Sequence, residues 1–516
     1  MLKRSDSGES YQSDPRPHAV VIGAGFGGLA AAMRLGAKGY RVTVMDRLDI
    51  VGGRASSITQ GGHRFDLGPT IITVPQVFEE LWQDCGRDFH KDVLLHKMDP
   101  FYEIRFEDGS KFSASDDLAK LRRQVAQIAP GDLAGFDRFM KDAEARYAFG
   151  FEKLGKRPLD KLWDLAVNLP TFGMLRADRS VYGHVSRLMK DERLRFATSF
   201  HPLFIGGDPF NVTSMYILVS HLEAAFGVHY AMGGSGAIAK AMADVVLGQG
   251  GEIRLNETVD SIMVENGHAT GVEMNDGRKV SCDIVVSNAD AGFTYDHLLR
   301  RTKNRHWTPK RVKRQRLSMG LCVWYFGTKN TRDKWHDVGH HTVLVGPDYQ
   351  REVRDIFFGK DLAEEMSLYV HRPSVTDRSA APEGGDTFYA LACVPHLKSE
   401  VDFDWSTQLQ SYREKLLDRL EQKLMPGLRE HITEETFLTP NDFETRYLSP
   451  KGAAFSFEPR ILQSGWFRPH NKSKDVNGLY LVGAGTHPGA GVPSVVISAS
   501  IAADQIPDAV KLRAFV

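Results

Sequence analysis

The chain has 516 residues, with 65 Lys plus Arg balancing 65 Asp plus Glu, 42% hydrophobic residues and four cysteines. That length exceeds one ordinary core, so two or more domains, or one domain carrying insertions, are expected. The charge balance excludes the basic excess of a nucleic-acid binder. Cys85, Cys282, Cys322 and Cys393 lie far apart without a CxxC pair, which excludes a disulfide framework or thiolate zinc site, and no apolar run reaches the ~18 residues of a spanning helix.

Residues 1–17 are polar, with no apolar run after their basic residues, and read as a disordered tail rather than a secretory signal. His18 to Ile22 is apolar and leads into "GAGFGG"; Leu29, Ala30, Met33 and Leu35 follow with helical spacing, and "GYRVTVMD" is a second β-rich run. This is a βαβ unit. Gly23 permits the tight turn, Gly25 lets the backbone approach a pyrophosphate, and Gly28 lets the helix pack closely on the sheet. The helix N-terminus offers N–H donors and a favourable dipole to phosphate. Asp46 ends the second strand about 20 residues on, where a carboxylate accepts hydrogen bonds from ribose hydroxyls and disfavours a 2′-phosphate. A second glycine pair, Gly52-Gly53, is followed by Arg54, a cation within reach of phosphate. In "HRFDLGPTIIT" the Gly-Pro after Asp66 marks a shaped loop, with Asp66 as a structural hydrogen-bonding residue.

From Asp92 to about Phe226 the texture is charged and helix-favouring, the pattern of a helical insertion. Gly250 to Asp290 alternates apolar and polar residues, with Asn266-Gly267 and Asp276-Gly277 as hairpin turns, and ends in the buried-strand run Ile284 to Val286. A mixed stretch follows, with strand-like "LCVWYFG", "MSLYVH" and "TFYALACVPH" and a helix around Leu409 to Met425. His340 and His341 are neighbours in "GHHTV"; adjacent strand residues point to opposite faces, so no metal site is expected. Last, Leu479 to Val482 forms a buried strand before "GAGTHPGAGVP" and a small-residue helix, whose N–H groups suit a negative charge.

Taken in order, "VIGAGFGGLAAA", "GGRA", "FDLGPTIIT", "FHPLFIGGDPF", "GGSGAIAKAM", "VVSNAD", "GHHTVLVGP", "WFRPHN" and "LYLVGAGTHPGAGVP" resemble the bacterial and fungal type phytoene desaturases, a branch of the FAD-dependent amine-oxidase-like flavoproteins. The resemblance runs from about His18 to Ile506. It implies an α/β, glutathione-reductase-type Rossmann FAD-binding fold with an inserted substrate domain of mixed sheet and helices and a helical membrane-facing region. The FAD-binding domain would comprise 18–91, 227–290 and 464–510, the helical region 92–226 and the substrate-binding domain 291–463. Carried over, Gly23, Gly25, Gly28, Asp46, Gly53, Arg54, Gly68, Pro69 and Thr70 would contact FAD, Val259 would meet the adenine side, and Gly485 and Val492 would lie near the flavin. "WFRPHN" is read as a structural loop.

The implied activity is stepwise desaturation of the C40 polyene precursor 15-cis-phytoene to neurosporene or lycopene, with oxygen or quinone as electron acceptor. Alternatives are diapophytoene or neurosporene desaturation, ketolation or amine oxidation, and a non-catalytic isoprenoid-lipid carrier on the same fold. Asp164 matches a position discussed in the family as an acid or base, but Val167 stands where a partner Arg is expected. Leu162, Trp163, Leu165, Ala166, Leu169, Phe172, Met174 and Leu175, between Lys161 and Arg176, read as an interfacial element. The expected setting is cytoplasmic and peripheral to the cell membrane, with no nucleic-acid partner and homo-oligomerisation left open.

Overall fold

The computed structural model describes residues 14–303, 305–359, 362–397 and 403–513. Most of the expected tail, residues 1–13, lies outside the described residues. Strand β1 (His18–Ile22) is buried along its whole length, as a continuous apolar run must be when a parallel sheet is covered on both faces. It is flanked by β2 (Arg41–Met45) and by Ile284–Ser287, both parallel to it. Glu252–Arg254 and Leu479–Leu481 complete a five-stranded parallel sheet. Helix α1 (Phe26–Ala37) covers it, packed against Ser235–Gly248 and Val492–Asp504. All three helices are rich in Ala, Gly or Ser, which brings their axes close. The two hairpin turns occur as expected, in the meander Val259–Glu265, His268–Met274 and Lys279–Ser281, with Asn266, Gly267 and Gly277 all at positive φ.

A second, seven-stranded sheet runs in the order Ile432–Leu438, Gly320–Thr328, Asp386–Val394, Leu368–His371, His341–Leu344, Glu103–Arg105 and Lys111–Ser113. The period of two along Gly320–Thr328 divides its side chains. Cys322, Trp324 and Phe326 pack under the helix Trp405–Lys423, and Leu321, Val323 and Tyr325 face the other way, onto an internal cavity. The helix expected around Leu409 to Met425 thus starts four residues earlier than the sequence pattern suggests, at Trp405, after the Asp404 side chain caps it. The stretch 92–226 is not wholly helical. Glu103–Arg105 and Lys111–Ser113 form a hairpin on the edge of the large sheet, and Leu95–Lys97 pairs with His229–Ala231. Three-residue strands carry too little alternation to stand out from charged neighbours. None of the four cysteines is paired in a disulfide.

Candidate functional site

The site is built where the parallel strands end. Gly23 takes φ +96, and a Cβ on Gly28 would lie 1.9 Å from the Gly23 carbonyl oxygen, so the first turn and α1 interlock only as glycines. The Gly52 N–H donates to the Ala24 carbonyl at 2.8 Å, which lays the second glycine pair alongside the first turn. A Cβ on Gly68 would meet the Arg54 carbonyl oxygen at 2.0 Å. Asp46 closes the pocket beyond β2: its carboxylate accepts from Ala24 N (2.7 Å) and Leu48 N (2.8 Å) while remaining on the cavity wall. Burial holds its pKa above the ordinary carboxylate range, opposed by those two N–H bonds. Val259 lies nearby on the same wall, its segment tied in by the Glu257 N–H to the Asp46 carbonyl at 2.9 Å.

Arg54 is the clearest ligand-seeking group. Its half-buried guanidinium lines the cavity, donates to the Ser449 hydroxyl, lies 5.8 Å from the Tyr447 ring centroid, and has a buried Nε without a partner. Among the described residues it forms no ion pair, and burial depresses its pKa. Asp290 acts on it only at a distance, and a cation partly withdrawn from water without a bonded anion is unfavourable. The donor set of Arg54, the first-turn N–H groups and the N-terminus of α1 therefore fits the pyrophosphate of a dinucleotide such as FAD, with Asp46 on its ribose side.

Asn288, which the sequence reading quoted in "VVSNAD" without giving it a role, is the hub of this region. Cβ atoms on Gly25, Gly27 and Gly483 would come within 2.9, 2.6 and 2.7 Å of its side-chain amide. The available signal was its place just past a buried parallel strand, where ligands meet such sheets. Val492 begins the helix Val492–Asp504 and lines the cavity; Gly485 does not, being packed against Ala291 behind the wall, and Gly483 and Ala484 line it instead. The "WFRPHN" loop holds this turn. The Arg468 guanidinium donates to the carbonyls of Phe457 (3.0 Å) and Ala484 (3.1 Å), and the Asn471 amide to those of Leu481, His487 and Ser498. Trp466 and Phe467 of the same loop reach the cavity wall.

One cavity of about 820 Å³ unites these parts. Its polar end holds Asp46, the glycines, Arg54, Gly68, Pro69 and Val259; its other end is walled by Leu154, Phe200, Leu203, Phe204, Leu321, Val343 and similar residues. Thr70 stands between them, its hydroxyl bonded to the Tyr389 (3.0 Å) and Tyr369 (3.2 Å) hydroxyls, so it joins the nucleotide loop to the large sheet. Asp66 is structural: its carboxylate accepts from Ser57 Oγ at 2.5 Å beside the start of Ser235–Gly248. Asp164 is half-buried on the cavity wall in the first turn of the helix Leu162–Met174, beside Leu165 and Leu169, which also line the cavity, and its carbonyl accepts from the Asn168 amide at 2.6 Å. Of the apolar residues between 161 and 176, Leu162, Trp163, Leu169 and Met174 are exposed, whereas Leu165 and Phe172 face inward.

The two neighbouring histidines do not point apart. His340 precedes the strand His341–Leu344 and turns back, so its ring centroid lies 4.4 Å from that of His341 and 4.8 Å from that of His371. The His340 and His371 Nε2 atoms are 3.0 Å apart, and His340 Nδ1 and His341 Nδ1 contact the Thr376 and Tyr369 hydroxyls, each at 2.6 Å. Burial holds all three imidazoles well below their usual basicity.

Comparison with known proteins agrees with this geometry. The family described as flavin-containing amine oxidoreductase matches residues 26–507. A neurosporene-forming phytoene desaturase of Rhodobacter capsulatus is 64% identical over 97% of this chain and 96% of its own length. A lycopene-forming phytoene desaturase of a Paracoccus species is 43% identical over 94% and 96%. Among solved structures, cyclohexylamine oxidase from Brevibacterium oxydans superposes with a TM-score of 0.60 at 16% identity, covering 97% of this chain and all of that one, a likeness of fold. The chain belongs to the flavin-containing amine oxidoreductase family, in the branch that holds the bacterial phytoene desaturases.

Proposed function

We infer that the protein is an FAD-dependent desaturase that introduces successive conjugated double bonds into phytoene, giving neurosporene or lycopene. The observation that carries this is one continuous cavity, polar where a dinucleotide fits and hydrocarbon-lined beyond it. FAD, when bound, supplies the hydride acceptor. Everything else falls to the chain's own residues: Arg54, Asp46 and the glycine turns hold the nucleotide, and the aromatic and aliphatic walls align a polyene that offers no polar handle and keep water from it. Asp164, half-buried on the cavity wall without the partner Arg that Val167 replaces, is a helper rather than an essential base.

The membrane reading is part of the same proposal. Leu169, Ile461 and Leu462 both line the cavity and stand 48–68% exposed, so the apolar end opens there. Leu162, Trp163 and Met174 extend the exposed rim, flanked by Lys161 and Arg176, as in an interfacial docking element. No helix among the described residues is long and apolar enough to cross a membrane. A C40 hydrocarbon dissolved in lipid would pass from the bilayer into the cavity without crossing water, and oxygen or a lipid-borne quinone would take the electrons. The test is FAD-loaded protein given 15-cis-phytoene in liposomes, with products resolved by chromatography. Coloured polyenes are expected; phytoene returned unchanged would overturn the proposal.

A further inference from the structure

The helix Leu218–Phe226 turns Leu218, Val219, Leu222 and Glu223 toward the cavity. Three of these are apolar, as the wall demands. Glu223 is a carboxylate, only 5% exposed. Tyr102 donates its hydroxyl to Glu223 Oε2 at 2.8 Å, and His201 Nε2 stands 3.2 Å from the same oxygen and 3.0 Å from the Tyr102 hydroxyl. Burial and the neighbouring Glu223 carboxylate push the Tyr102 phenol far above its usual range, so it acts here as a donor. Oε1 carries no hydrogen bond, and no Lys or Arg pairs with Glu223, among the described residues. The three residues come from separate stretches, the first at the edge of the large sheet, the second in "FHPLFIGGDPF", the third in the cavity helix.

Taking a carboxylate out of water beside hydrocarbon walls is unfavourable unless something compensates, and Glu223 lines this cavity with one oxygen bonded to Tyr102 and His201 and the other without a hydrogen-bond partner among the described residues. A polyene losing a hydride becomes an allylic cation, and a proton must then leave the neighbouring carbon. We propose that Glu223 is a catalytic residue of the desaturation, holding the cationic charge on the polyene and receiving the departing proton, while Tyr102 and His201 position its carboxylate. This rests on reading the cavity as the site of desaturation.

The step balances. One C–H bond breaks and its electron pair leaves as hydride to the flavin; on the next carbon the C–H pair becomes the second bond of the new C=C, and its proton passes to the Glu223 carboxylate. Release of that proton from Glu223 to water, once product leaves the cavity, restores the carboxylate for the next double bond.

The test uses full-length protein with two readouts. In the first, Glu223→Gln loads FAD normally but forms product from phytoene at least about 100-fold more slowly, the usual size of a lost proton acceptor; Tyr102→Phe, which leaves the carboxylate in place, shows a smaller loss. A Glu223→Gln rate within about threefold of the parent, with FAD content equal, overturns the assignment. The second readout needs no turnover: binding of N,N-dimethylgeranylgeranylamine, a cationic prenyl chain, against its uncharged hydrocarbon counterpart, followed by tryptophan fluorescence. The parent protein should prefer the amine at least about tenfold and Glu223→Gln should lose that preference. Equal binding of amine and hydrocarbon by the parent overturns the assignment even if the variant fails to fold. A parent protein that prefers the amine yet leaves phytoene untouched sinks the desaturase reading while leaving the charge-holding role of Glu223 standing.

Discussion

Replacing Trp163 and Met174 together by Asp tests how the protein meets lipid. These side chains are 72% and 77% exposed and neither lines the cavity, so the change leaves the interior intact. Fully burying a side chain of this size is worth about 1.5–3 kcal/mol. With roughly three quarters of each surface available, the pair contributes about 2.3–4.5 kcal/mol to bilayer docking through apolar area alone. At about 1.4 kcal/mol per tenfold, vesicle partitioning falls by about 40- to 1,600-fold, before the added penalty of bringing two carboxylates to the interface. Co-sedimentation with phosphatidylcholine vesicles, alone and mixed with an anionic lipid, measures this, with flavin absorbance as the folding control. Phe172 is unsuited to the experiment, because its ring packs edge-on to Phe149 at 5.1 Å inside the protein. Undiminished partitioning of a flavin-loaded double variant would refute this face as the contact.

Other consequences follow from the same geometry. Arg54→Met removes charge-assisted bonds worth about 1.5–3 kcal/mol and should weaken FAD binding about 10- to 150-fold in a flavin fluorescence titration; unchanged affinity would show that Arg54 does not face the pyrophosphate. Gly68→Ala places a methyl 2.0 Å from the Arg54 carbonyl oxygen and should yield colourless protein, a result that yellow Gly68→Ala protein of parental stability contradicts. Asp164→Asn should keep FAD and lose less than about tenfold in phytoene turnover; complete loss with FAD content unchanged makes Asp164 an essential base instead. Burial holds His184 and His487 near a pKa of about 4, against about 6.5 in the open chain. Between those values the unfolded chain binds protons that the folded one refuses, so stability should fall as pH drops through this window and level off below it. A thermal midpoint constant across the window excludes this linkage.

The parts legible in the sequence were those with a local signature. β1, the glycine turn, α1 and Asp46 are read directly because a buried parallel strand is a continuous apolar run and the turn admits only glycine. Arg54 was legible as a cation near phosphate, but its place on the cavity wall without a direct ion pair shows only in three dimensions. The hairpin around Asp108-Gly109 was hidden by strands of three residues, and Gly485 stood in for Gly483 and Gly491, which meet the wall, since "GAGTHPGAG" offers several with equal local claim. Tyr369, Tyr389, His371 and Glu223 were invisible as site residues. Sheet pairing and helix packing bring them to the cavity, and nothing near them in the chain announces it. The histidine pair misled for a definite reason: alternation applies within a strand, and His340 stands one residue outside it.

The parallel sheet under the nucleotide turn also decides when this protein can exist during its synthesis. β1 hydrogen-bonds along its length only to β2 and to Ile284–Ser287, and the latter is finished on its far side by Leu479–Leu481. A ribosome therefore has to pass Ser287 before β1 has both neighbours, and Leu481 before Ile284–Ser287 does, and non-local closure of that kind is slow and exposes sticky edges meanwhile. A chain cut short before Leu479 would leave Ile284–Ser287 as a bare sheet edge, a surface on which chains aggregate.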